Sequence, residues 1–569
     1  MALYPTTFMT RLYSWLISSP LTRVLLLLPV IGFFIYFFAL RYNIPWFDDY
    51  ENIPYFLNQF LSTPSFTEKL DALMRPNNEH RVLYARLVTL GQYFLTGGLN
   101  FANLMLWGNA GLVLMFYLLY RALLRQEGDM KKAVVGVLPV PLLLFSAQMY
   151  LMTFTAVFSL QYLSIITLVM LTLFVLTTDR PVNFGLAVAL AVLSSFSMGN
   201  GLLVWPAGAA ILIIQRRWGA LGAWVLLGGV CGYLYFLGYP VQQGNGEGFA
   251  YVVKHPLQTL AGFIIFAGSA FDLFSTLPLK HRLYLPFLAG MFLLAGLGYW
   301  AIRTLFQTKR NTSFLETFVF GCVLFLVATM GLIALFRIRF YFGMVLHIPY
   351  RIYSLTLWSL ASVLLFSRLS EMARGRFWPI VWALFLGLNM VTYATYLPEA
   401  IARRKHMQGL TFNQKYSAIG LGGTRNSKLA AYISNQLTMM QKRGWYHLPE
   451  PVITTDEQQI LTPVGTLASI APLQISRTPD YIVVADNEPD YYVGYNTATY
   501  VVMKSDQHTY LMLGEKKPPI TFWPWRIEPG FSTAIPVQMV QPGHYQLGLF
   551  RTYPNRTERQ FTNQFIDVK

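Results

Sequence analysis

Clustered carboxylates stand out in the segment IPWFDDYENIPYF, residues 44–56, which contains Asp48, Asp49 and Glu51. The segment follows an apolar run, so the acids are expected at a membrane surface among aromatic side chains. Adjacent carboxylates repel each other, and semi-apolar surroundings raise their pKa further. A carboxylate of raised pKa can act as a general base toward a hydroxyl. We therefore predict that Asp48 or Asp49 is a catalytic base and that Glu51 contacts substrate. The alternative is a solvated loop end that marks where a helix leaves the lipid.

A second candidate is the aromatic-rich segment FRIRFYFGMVLHIPYRIYSL, residues 336–355. Its polar members are Arg337, Arg339, His347, Tyr350 and Arg351. Charges near hydrocarbon cost roughly 2.5–3.5 kcal/mol each at mid-depth, so they usually face a cavity or a partner. Guanidinium groups bind phosphate by paired hydrogen bonds. The segment therefore predicts a lipid-phosphate site with Tyr350 as a substrate contact. The alternative is snorkelling of the arginines to lipid headgroups.

Two further polar groups are expected at the same membrane face. The stretch RPNNEHRVLYAR contains Glu79, His80 and Arg81. It predicts a polar cluster facing the acids, in which Arg81 or His80 binds an anion; alternatively, Glu79 and Arg81 form a surface ion pair of little energetic value. The stretch SFSMGNGLLVWP contains Asn200. Asn200 could line a cavity, or the glycines beside it could simply make a tight turn.

The composition indicates which elements must position these residues. Of 569 residues, 54% are hydrophobic and 12% charged, about half the charged fraction of an ordinary soluble domain. Apolar stretches recur from residue 22 to about 396, each long enough to cross a hydrocarbon core of about 30 Å. The sequence predicts a mainly α-helical polytopic membrane protein. A cytoplasmic excess of Lys and Arg explains the net charge of +17 without nucleic acid as a partner.

Eleven spans are predicted, or twelve if residues 257–279 cross the membrane; we prefer an outer-surface or re-entrant helix for that segment. The predicted spans are 22–40, 100–120, 132–149, 157–177, 183–198, 201–215, 219–238, 284–304, 314–336, 345–366 and 377–396. Basic residues cluster in alternate loops, which predicts a cytoplasmic N-terminus. The first loop, residues 41–99, is then outside together with the acids. Cys231 and Cys322 lie in apolar runs and predict neither a disulfide framework nor a metal site.

The chain changes character after the membrane domain, which is predicted to cover residues 1–399. Residues 400–450 are expected to form a helical linker. From residue 451 to 569, short β-rich runs separated by Pro, Gly and Asn predict an extracytoplasmic β-sandwich. Trp523, Trp525 and Tyr553 are candidates for stacking on an acceptor glycan, and the alternative is ordinary packing.

Motifs for other kinds of chemistry are absent from the sequence. The stretch IGLGGTRNSK, residues 419–428, lacks the spacing of a phosphate loop. Neither His-Glu-x-x-His nor a Cys/His cluster with zinc spacing occurs. Any energy source is therefore expected to be the substrate or a gradient.

The acidic motif after the first span, the polar turns and the late Arg/Tyr-rich loop resemble the GT-C superfamily of membrane glycosyltransferases over roughly residues 20–400. The resemblance implies a polyprenyl-linked sugar donor and a carboxylate base, which falls on Asp48, with Asp49 as the close alternative. Oligosaccharyltransferases of this superfamily have Asp-x-Asp and bind a divalent cation. The adjacent Asp-Asp found here leaves metal use open. The acceptor motif Trp-Trp-Asp of those enzymes is absent, so recognition of a glycosylation sequon is not expected.

The combined prediction is a glycosyltransferase of the bacterial inner membrane. It would move a hexose or pentose from a polyprenyl-phosphate donor to a hydroxyl of an envelope glycan or lipid at the outer face, with inversion at the anomeric carbon. No cofactor is required, and a divalent cation stays open. One alternative is a transporter or flippase of lipid-linked glycans, although the sequence lacks the repeated halves typical of transporters. Another is a non-catalytic partner in envelope glycan assembly.

Overall fold

The computed structural model describes residues 8–77, 80–239, 245–306, 313–453, 457–461, 472–487, 493–517 and 529–569. The chain divides into two compact units. Unit 1 consists of Met1–Ala39, Phe56–Leu90 and Leu104–Thr395. Unit 2 consists of Leu40–Tyr55, Gly91–Asn103 and Tyr396–Lys569.

The first half of the chain is helical between short turns. Its helices are α1 Phe8–Ser18, α2 Leu21–Leu40, α3 Phe56–Ser62, α4 Phe66–Met74, α5 Leu83–Thr96, α6 Phe101–Glu127, α7 Met130–Gly136, α8 Pro139–Leu144, α9 Tyr150–Thr153, α10 Ala156–Phe158, α11 Ser164–Thr177, α12 Pro181–Ser195, α13 Val204–Ile214 and α14 Trp218–Phe236. A π-helical turn, Glu51–Tyr55, precedes α3, and a 3₁₀ turn, Gly199–Leu203, joins α12 to α13.

Helices continue through most of the second half. They are α15 Asn245–Lys254, α16 Pro256–Ala267, α17 Leu279–Arg282, α18 Tyr284–Phe306, α19 Phe314–Arg337, α20 Arg351–Arg368, α21 Glu371–Ser417, α22 Lys428–Lys442 and α23 Gln458–Leu461. Two 3₁₀ turns, Phe342–Leu346 and Ile348–Tyr350, lie between α19 and α20. The predicted domain boundary at residue 399 falls inside α21, which continues without a break to Ser417.

Eight helices or helix runs of the described chain are long and apolar enough to cross a membrane. They are Leu21–Leu40, Phe101–Glu127, Met130–Thr153, Ala156–Thr177, Trp218–Phe236, Leu279–Leu305, Phe314–Arg337 and Glu371–Ser417. This agrees with the prediction of a polytopic helical protein but gives a smaller count than eleven. Two predicted spans, 183–198 and 201–215, correspond to shorter apolar helices. A third, 345–366, becomes α-helical only at Arg351, after the 3₁₀ turns.

Helices α15 and α16 form a bent pair, with 104° between their axes, which is the geometry of a broken span or a re-entrant loop. The bend lies at Pro256, the first residue of α16, where a proline's missing N–H costs no helical hydrogen bond. Helix α16 then approaches α18 closely, since a Cβ at Gly290 would lie 1.8 Å from the carbonyl oxygen of Ile264. Small residues allow such close backbone contact between membrane helices. If the pair counts as one span, the total becomes nine.

One end of unit 1, which we call the basic end, gathers cationic side chains that pair with carboxylates of other helices. It comprises the C-termini of α6, α11 and α20 and the N-termini of α7, α12, α14, α19 and α21. Arg374 contacts Glu127 at 2.7 Å, and Arg368 contacts Glu316 at 2.6 Å. Several of the basic clusters predicted to be cytoplasmic are therefore together at one end of the helices.

Unit 2 contains seven described strands in two antiparallel sheets. The strands are β1 Gln474–Arg477, β2 Tyr481–Asp486, β3 Ala498–Lys504, β4 Thr509–Leu513, β5 Phe531–Pro536, β6 Gly543–Thr552 and β7 Thr557–Val568. One sheet has the order β1-β2-β5 and the other β4-β3-β6-β7. In β2–β5 Ile482 pairs with Ile535, and in β3–β6 Val501 pairs with Leu549. All four side chains share one apolar core, so the β-rich region is a small sandwich, as predicted.

Strand β3 is buried on both faces, which accounts for its apolar run YVVM, residues 500–503. Val501 lies in the core between the sheets, whereas Val502 packs with Phe412 of α21 on the opposite face. The same helix covers the edge of β4, because the Asn413 side chain accepts from Leu511 N and donates to Leu511 O. An unpaired edge strand is open to aggregation, and α21 provides the missing partner.

Candidate functional site

Unit 1 contains a cavity of about 230 Å³ that brings together predicted site residues from distant parts of the chain. The predicted residues that line it are His80, Asn200, Arg337, Arg339 and Tyr350. Four more tyrosines and an apolar helix face complete much of the wall: Tyr162, Tyr235, Tyr239, Tyr353, Leu332, Ile333 and Phe336. We call this the arginine cavity.

The arginine cavity is formed by helix ends that lie opposite the basic end. Arg337 is the last residue of α19, and Tyr350 immediately precedes α20. Tyr235 lies at the C-terminal end of α14, and Asn200 lies in the turn that follows α12. The other ends of these four helices belong to the basic end. The polar residues meet here because each of them stands where its helix leaves the apolar layer.

Asn200 is presented to the cavity by a turn that only glycine permits. A Cβ at Gly201 would lie 1.9 Å from the carbonyl oxygen of Ser194, so the chain folds tightly against the end of α12. The Asn200 amide nitrogen donates to Tyr353 at 3.1 Å and faces Thr329 Oγ1 at 3.5 Å. Its amide oxygen is buried and accepts no hydrogen bond from the part of the chain that the structure describes. A ligand hydroxyl is a suitable donor to this oxygen.

The electrostatics of the arginine cavity favour an anion. Its lining includes two guanidinium groups and, over the described residues, no carboxylate. Arg339 Nη1 lies 3.4 Å from Glu247, a carboxylate that is 73% exposed and lies outside the lining. The Arg339 guanidinium also lies 4.6 Å from the centre of the Phe340 ring. A phosphate here would find cationic partners, and the apolar face of α19 suits a lipid chain.

Arg351 has a different environment from the one predicted. It is fully buried, and its Nη2 lies 2.5 Å from Asp272 Oδ2. Arg282 binds the same carboxylate through Nε at 3.0 Å and Nη2 at 2.6 Å. Arg351 Nε also donates to Leu346 O. Its guanidinium therefore holds the start of α20 to the segment that follows α16, and it does not line the arginine cavity.

His347 and Arg81 also lie outside the cavity lining. The His347 side chain is exposed, and its ring centre lies 5.5 Å from that of Tyr350. The Arg81 guanidinium is buried and donates to the carbonyl oxygens of Met74, Tyr235 and Leu237. Arginine commonly caps helix C-termini in this way, so the contacts indicate that Arg81 positions the end of α14. Glu79 lies outside the described residues.

The acidic motif belongs to unit 2, where its two aspartates differ. Asp49 is fully buried, and its Oδ2 accepts a hydrogen bond from Trp46 N at 2.9 Å. Asp48 is partly exposed. Burial, and to a smaller extent the neighbouring Glu51 carboxylate, raise the pKa of Asp48. Glu51 itself accepts a hydrogen bond from the Tyr432 hydroxyl at 2.8 Å. Asp49 therefore stabilises the turn, whereas Asp48 is partly exposed and its pKa is raised.

Sequence reasoning missed Arg403, whose guanidinium carbon lies 3.8 Å from the centre of the Trp46 ring. It also missed Tyr446, which donates to Asn43 O at 2.7 Å. Both help to hold residues 40–55 against the rest of unit 2. The signal for Arg403 was present in the run RRKH, residues 403–406, which places consecutive cations after the last predicted span. These cations were assigned to the linker.

The remaining predictions concern stacking and metal sites. Trp523 and Trp525 lie outside the described residues. Tyr553 lies beyond the end of β6, with Arg556 4.9 Å from its ring centre. Across the described ranges, no three His, Cys, Asp or Glu side chains come together as metal ligands, and Asp48, Asp49 and Glu51 do not form such a set. The steps proposed below use no metal.

Comparison of this chain with protein-family models, with curated proteins and with solved structures finds no match. The case for a function therefore depends on the residues and on their geometry.

Proposed function

We propose that this protein is a membrane glycosyltransferase of GT-C type that uses a polyprenyl-phosphate-linked sugar. The observation that carries the proposal is the arginine cavity, in which Arg337 and Arg339 at the end of α19 meet Asn200 from the turn that follows α12. A lipid-linked sugar phosphate contains an anion, hydroxyl groups and an apolar chain. The cavity offers guanidinium groups, an amide oxygen without an identified donor and an apolar helix face.

The donor is assigned to the arginine cavity. Its phosphate would bind Arg337 and Arg339, since guanidinium groups match phosphate by paired hydrogen bonds. Its isoprenoid chain would follow the face of α19 that carries Leu332 and Phe336. The positive-inside rule assigns the basic end to the cytoplasm, which would place this cavity at the outer face of a bacterial inner membrane. The acceptor is a hydroxyl of an envelope glycan or lipid.

The base is assigned to Asp48 rather than Asp49. Asp48 removes the proton of the acceptor hydroxyl, and the resulting oxygen forms a bond to the anomeric carbon. The bond from that carbon to the phosphate oxygen breaks, and the departing phosphate keeps the electron pair. Arginine stabilises the charge that develops on the phosphate. A single displacement inverts the anomeric centre, and the donor supplies the leaving group without ATP.

The test compares sugar transfer in membranes of a host that makes labelled polyprenyl-phosphate sugars. Asp48→Asn should abolish transfer and retain donor binding, whereas Arg337→Gln and Arg339→Gln should weaken donor binding. Arg376→Gln is the matched control, because Arg376 is exposed at the basic end, and it should behave like wild type. Transfer at the wild-type rate by Asp48→Asn would exclude Asp48 as the base, and the same result for Asp49→Asn would remove the acidic motif from the chemistry.

A transporter or flippase of lipid-linked glycans is the second candidate, and the bent pair α15–α16 favours it. Broken helices at matching positions of two halves are typical of transporters. Over the described residues only one such pair is found. Donor binding by the wild type without transfer to any acceptor, together with donor movement between leaflets of proteoliposomes, would favour this function over transfer.

A further inference from the structure

A second cavity lies at the basic end of unit 1, between the short helix α1 and the start of α7. It measures about 150 Å³, and its lining includes Arg23 and Lys131 together with the hydroxyl residues Ser18, Ser19 and Thr22. We call it the basic-end cavity. The chemistry proposed for the arginine cavity makes no use of it.

The charges of the basic-end cavity are not balanced within its lining. Arg23 and Lys131 have exposed side chains, and neither makes an ion pair with the residues that the structure describes. The Arg23 guanidinium lies 4.0 Å from the sulfur of Met130. The nearby Asp129 does not line the cavity, and its Oδ1 accepts from the backbone nitrogens of Lys131 and Lys132 as the cap of α7. An anion is the ligand that this lining favours.

The hydroxyl groups of the lining already take part in hydrogen bonds within the protein, which limits the kinds of ligand that the cavity can bind. The Thr22 hydroxyl donates to Leu16 O at 2.6 Å, and the Ser18 hydroxyl donates to Trp15 O at 3.3 Å. Ser19 Oγ accepts from Leu21 N. A ligand of this cavity would therefore be bound mainly by the charges of Arg23 and Lys131 rather than by a fixed set of hydrogen bonds. This suits a phosphate group held mainly by electrostatic attraction.

Helix α1 indicates that the phosphate comes from a lipid. Tyr13 and Leu16 are buried against the rest of unit 1, whereas Phe8 and Trp15 are 73% and 42% exposed, with Arg11 exposed between them. Aromatic and basic residues on one face of a helix are typical of a helix lying in the membrane interface. Helix α2 begins beside the cavity and exposes Leu21, Val24 and Leu28 along a span candidate. The cavity is therefore expected at headgroup level.

We propose that the basic-end cavity binds the phosphate of an anionic phospholipid, with Arg23 and Lys131 as its cationic contacts. Basic clusters beside membrane helices attract anionic headgroups. Such a lipid would hold α1 to the membrane surface and join α1 to α7 through its phosphate. The proposal is independent of the proposed transferase function, because neither Arg23 nor Lys131 belongs to the arginine cavity.

The test is native mass spectrometry of the full chain in neutral detergent, titrated separately with dioleoyl phosphatidylglycerol and dioleoyl phosphatidylcholine. Wild type should bind phosphatidylglycerol more tightly. Arg23→Gln and Lys131→Gln should each lower that affinity about fivefold. Arg11→Gln is the matched control, since it removes one charge from α1 without changing the cavity lining, and it should keep the wild-type affinity.

Three results would overturn the proposal. Equal affinity for both lipids would show that the phosphate of an anionic lipid is not recognised. An equal loss in Arg11→Gln and Arg23→Gln would indicate general attraction to the basic end. Displacement of phosphatidylglycerol by inorganic phosphate at matched concentration would make free phosphate the ligand. The variants exchange exposed side chains, and unchanged thiol reactivity of the buried Cys231 and Cys322 would verify that each variant is folded.

Discussion

Replacing Asp272 by Asn tests the buried ion-pair cluster that joins α20 to the segment following α16. The Asp272 carboxylate is 1% exposed and accepts from Arg282 Nε, Arg282 Nη2 and Arg351 Nη2 at 3.0, 2.6 and 2.5 Å. Asn has nearly the same shape but no charge. The variant therefore leaves two guanidinium groups beside a neutral side chain, and that of Arg351 is fully buried.

Removing one partner of a buried ion pair costs about 3–5 kcal/mol. Because the Asp272 carboxylate pairs with two arginines, we expect Asp272→Asn to lower the free energy of unfolding by an amount in that range. Arg351→Met is the matched comparison, because it removes the second cation and leaves the pair between Asp272 and Arg282 intact. Its expected cost is about 1.5–3 kcal/mol for the charge-assisted hydrogen bond to Asp272 and about 1 kcal/mol for the hydrogen bond to Leu346 O. We therefore predict that Asp272→Asn destabilises the protein more than Arg351→Met does.

The two cysteines of the chain provide an assay specific to unit 1. Cys231 and Cys322 are both buried there, and the sequence of unit 2 contains no cysteine. The rate at which a thiol reagent labels the protein in detergent therefore reports opening of unit 1. A loss of 3 kcal/mol or more should raise that rate at least about a hundredfold. Labelling of Asp272→Asn at the wild-type rate, or faster labelling of Arg351→Met than of Asp272→Asn, would refute the reasoning.

The remaining predictions concern the acidic motif. Burial raises the pKa of Asp48 in the folded state above its unfolded value, so ionisation of Asp48 lowers the stability of the folded state as the pH rises through that pKa. Asp48→Asn should therefore slow hydrogen exchange of residues 40–55 near neutral pH. It should have no such effect below about pH 4, where the carboxyl group is protonated in both states. Asp49→Ala should instead speed that exchange, at a cost of about 1–3 kcal/mol, because it leaves Trp46 N without its acceptor. A change of the same sign in both variants, or slower exchange in Asp49→Ala, would contradict the assigned roles. Glu51→Gln should shift the acid limb of the pH–rate profile of sugar transfer to lower pH, because the Glu51 charge contributes to the raised pKa of Asp48. An acid limb that Glu51→Gln leaves unmoved, or that Glu68→Gln moves equally, would contradict this contribution of Glu51.

Much of the arginine cavity could be predicted because its residues violate a local rule. Arg337 and Arg339 are conspicuous as charges inside an aromatic run beside a span, and Asn200 is conspicuous as an amide in a glycine turn. Each such side chain needs water, a partner or a cavity. Their convergence depended on the pairing of α12, α14, α19 and α20, which local patterns do not determine.

Arg351 and Arg81 were predicted as site residues for the same reason, but the groups that bind their charges belong to the protein itself. Asp272 is 79 residues from Arg351 in sequence, and the carbonyl oxygens bound by Arg81 at the end of α14 are more than 150 residues away. A lone aspartate in the apolar run FAGSAFDLF gave no sign of which cation it meets. The local sequence shows that a charge must be compensated, but only the tertiary structure decides whether protein or ligand compensates it.

The β-rich region shows the opposite situation, in which local patterns were sufficient. Alternation and turn residues predicted a sandwich, and the described part of this region contains seven strands in two sheets. The packing of the end of α21 on this sheet was not predicted. The segment that covers β3 and the edge of β4 has the polar sequence of a linker. Asn413 makes two backbone-like hydrogen bonds to Leu511, and an isolated asparagine carries no signal for that role.

At the basic end, Arg374 and Arg368 pair with carboxylates of the protein, whereas no carboxylate is among the described residues that line the arginine cavity. The carboxylates of Glu127 and Glu316 are 8% and 11% exposed, so the charges of these two arginines are neutralised within the protein. At the arginine cavity, the Glu247 carboxylate that approaches Arg339 is mostly solvated, and its attraction is therefore screened. A charge near hydrocarbon is costly unless it faces a partner, water or a cavity. An anion that entered the cavity would be attracted by Arg337 and Arg339, which is the role that the proposed function gives to the donor phosphate.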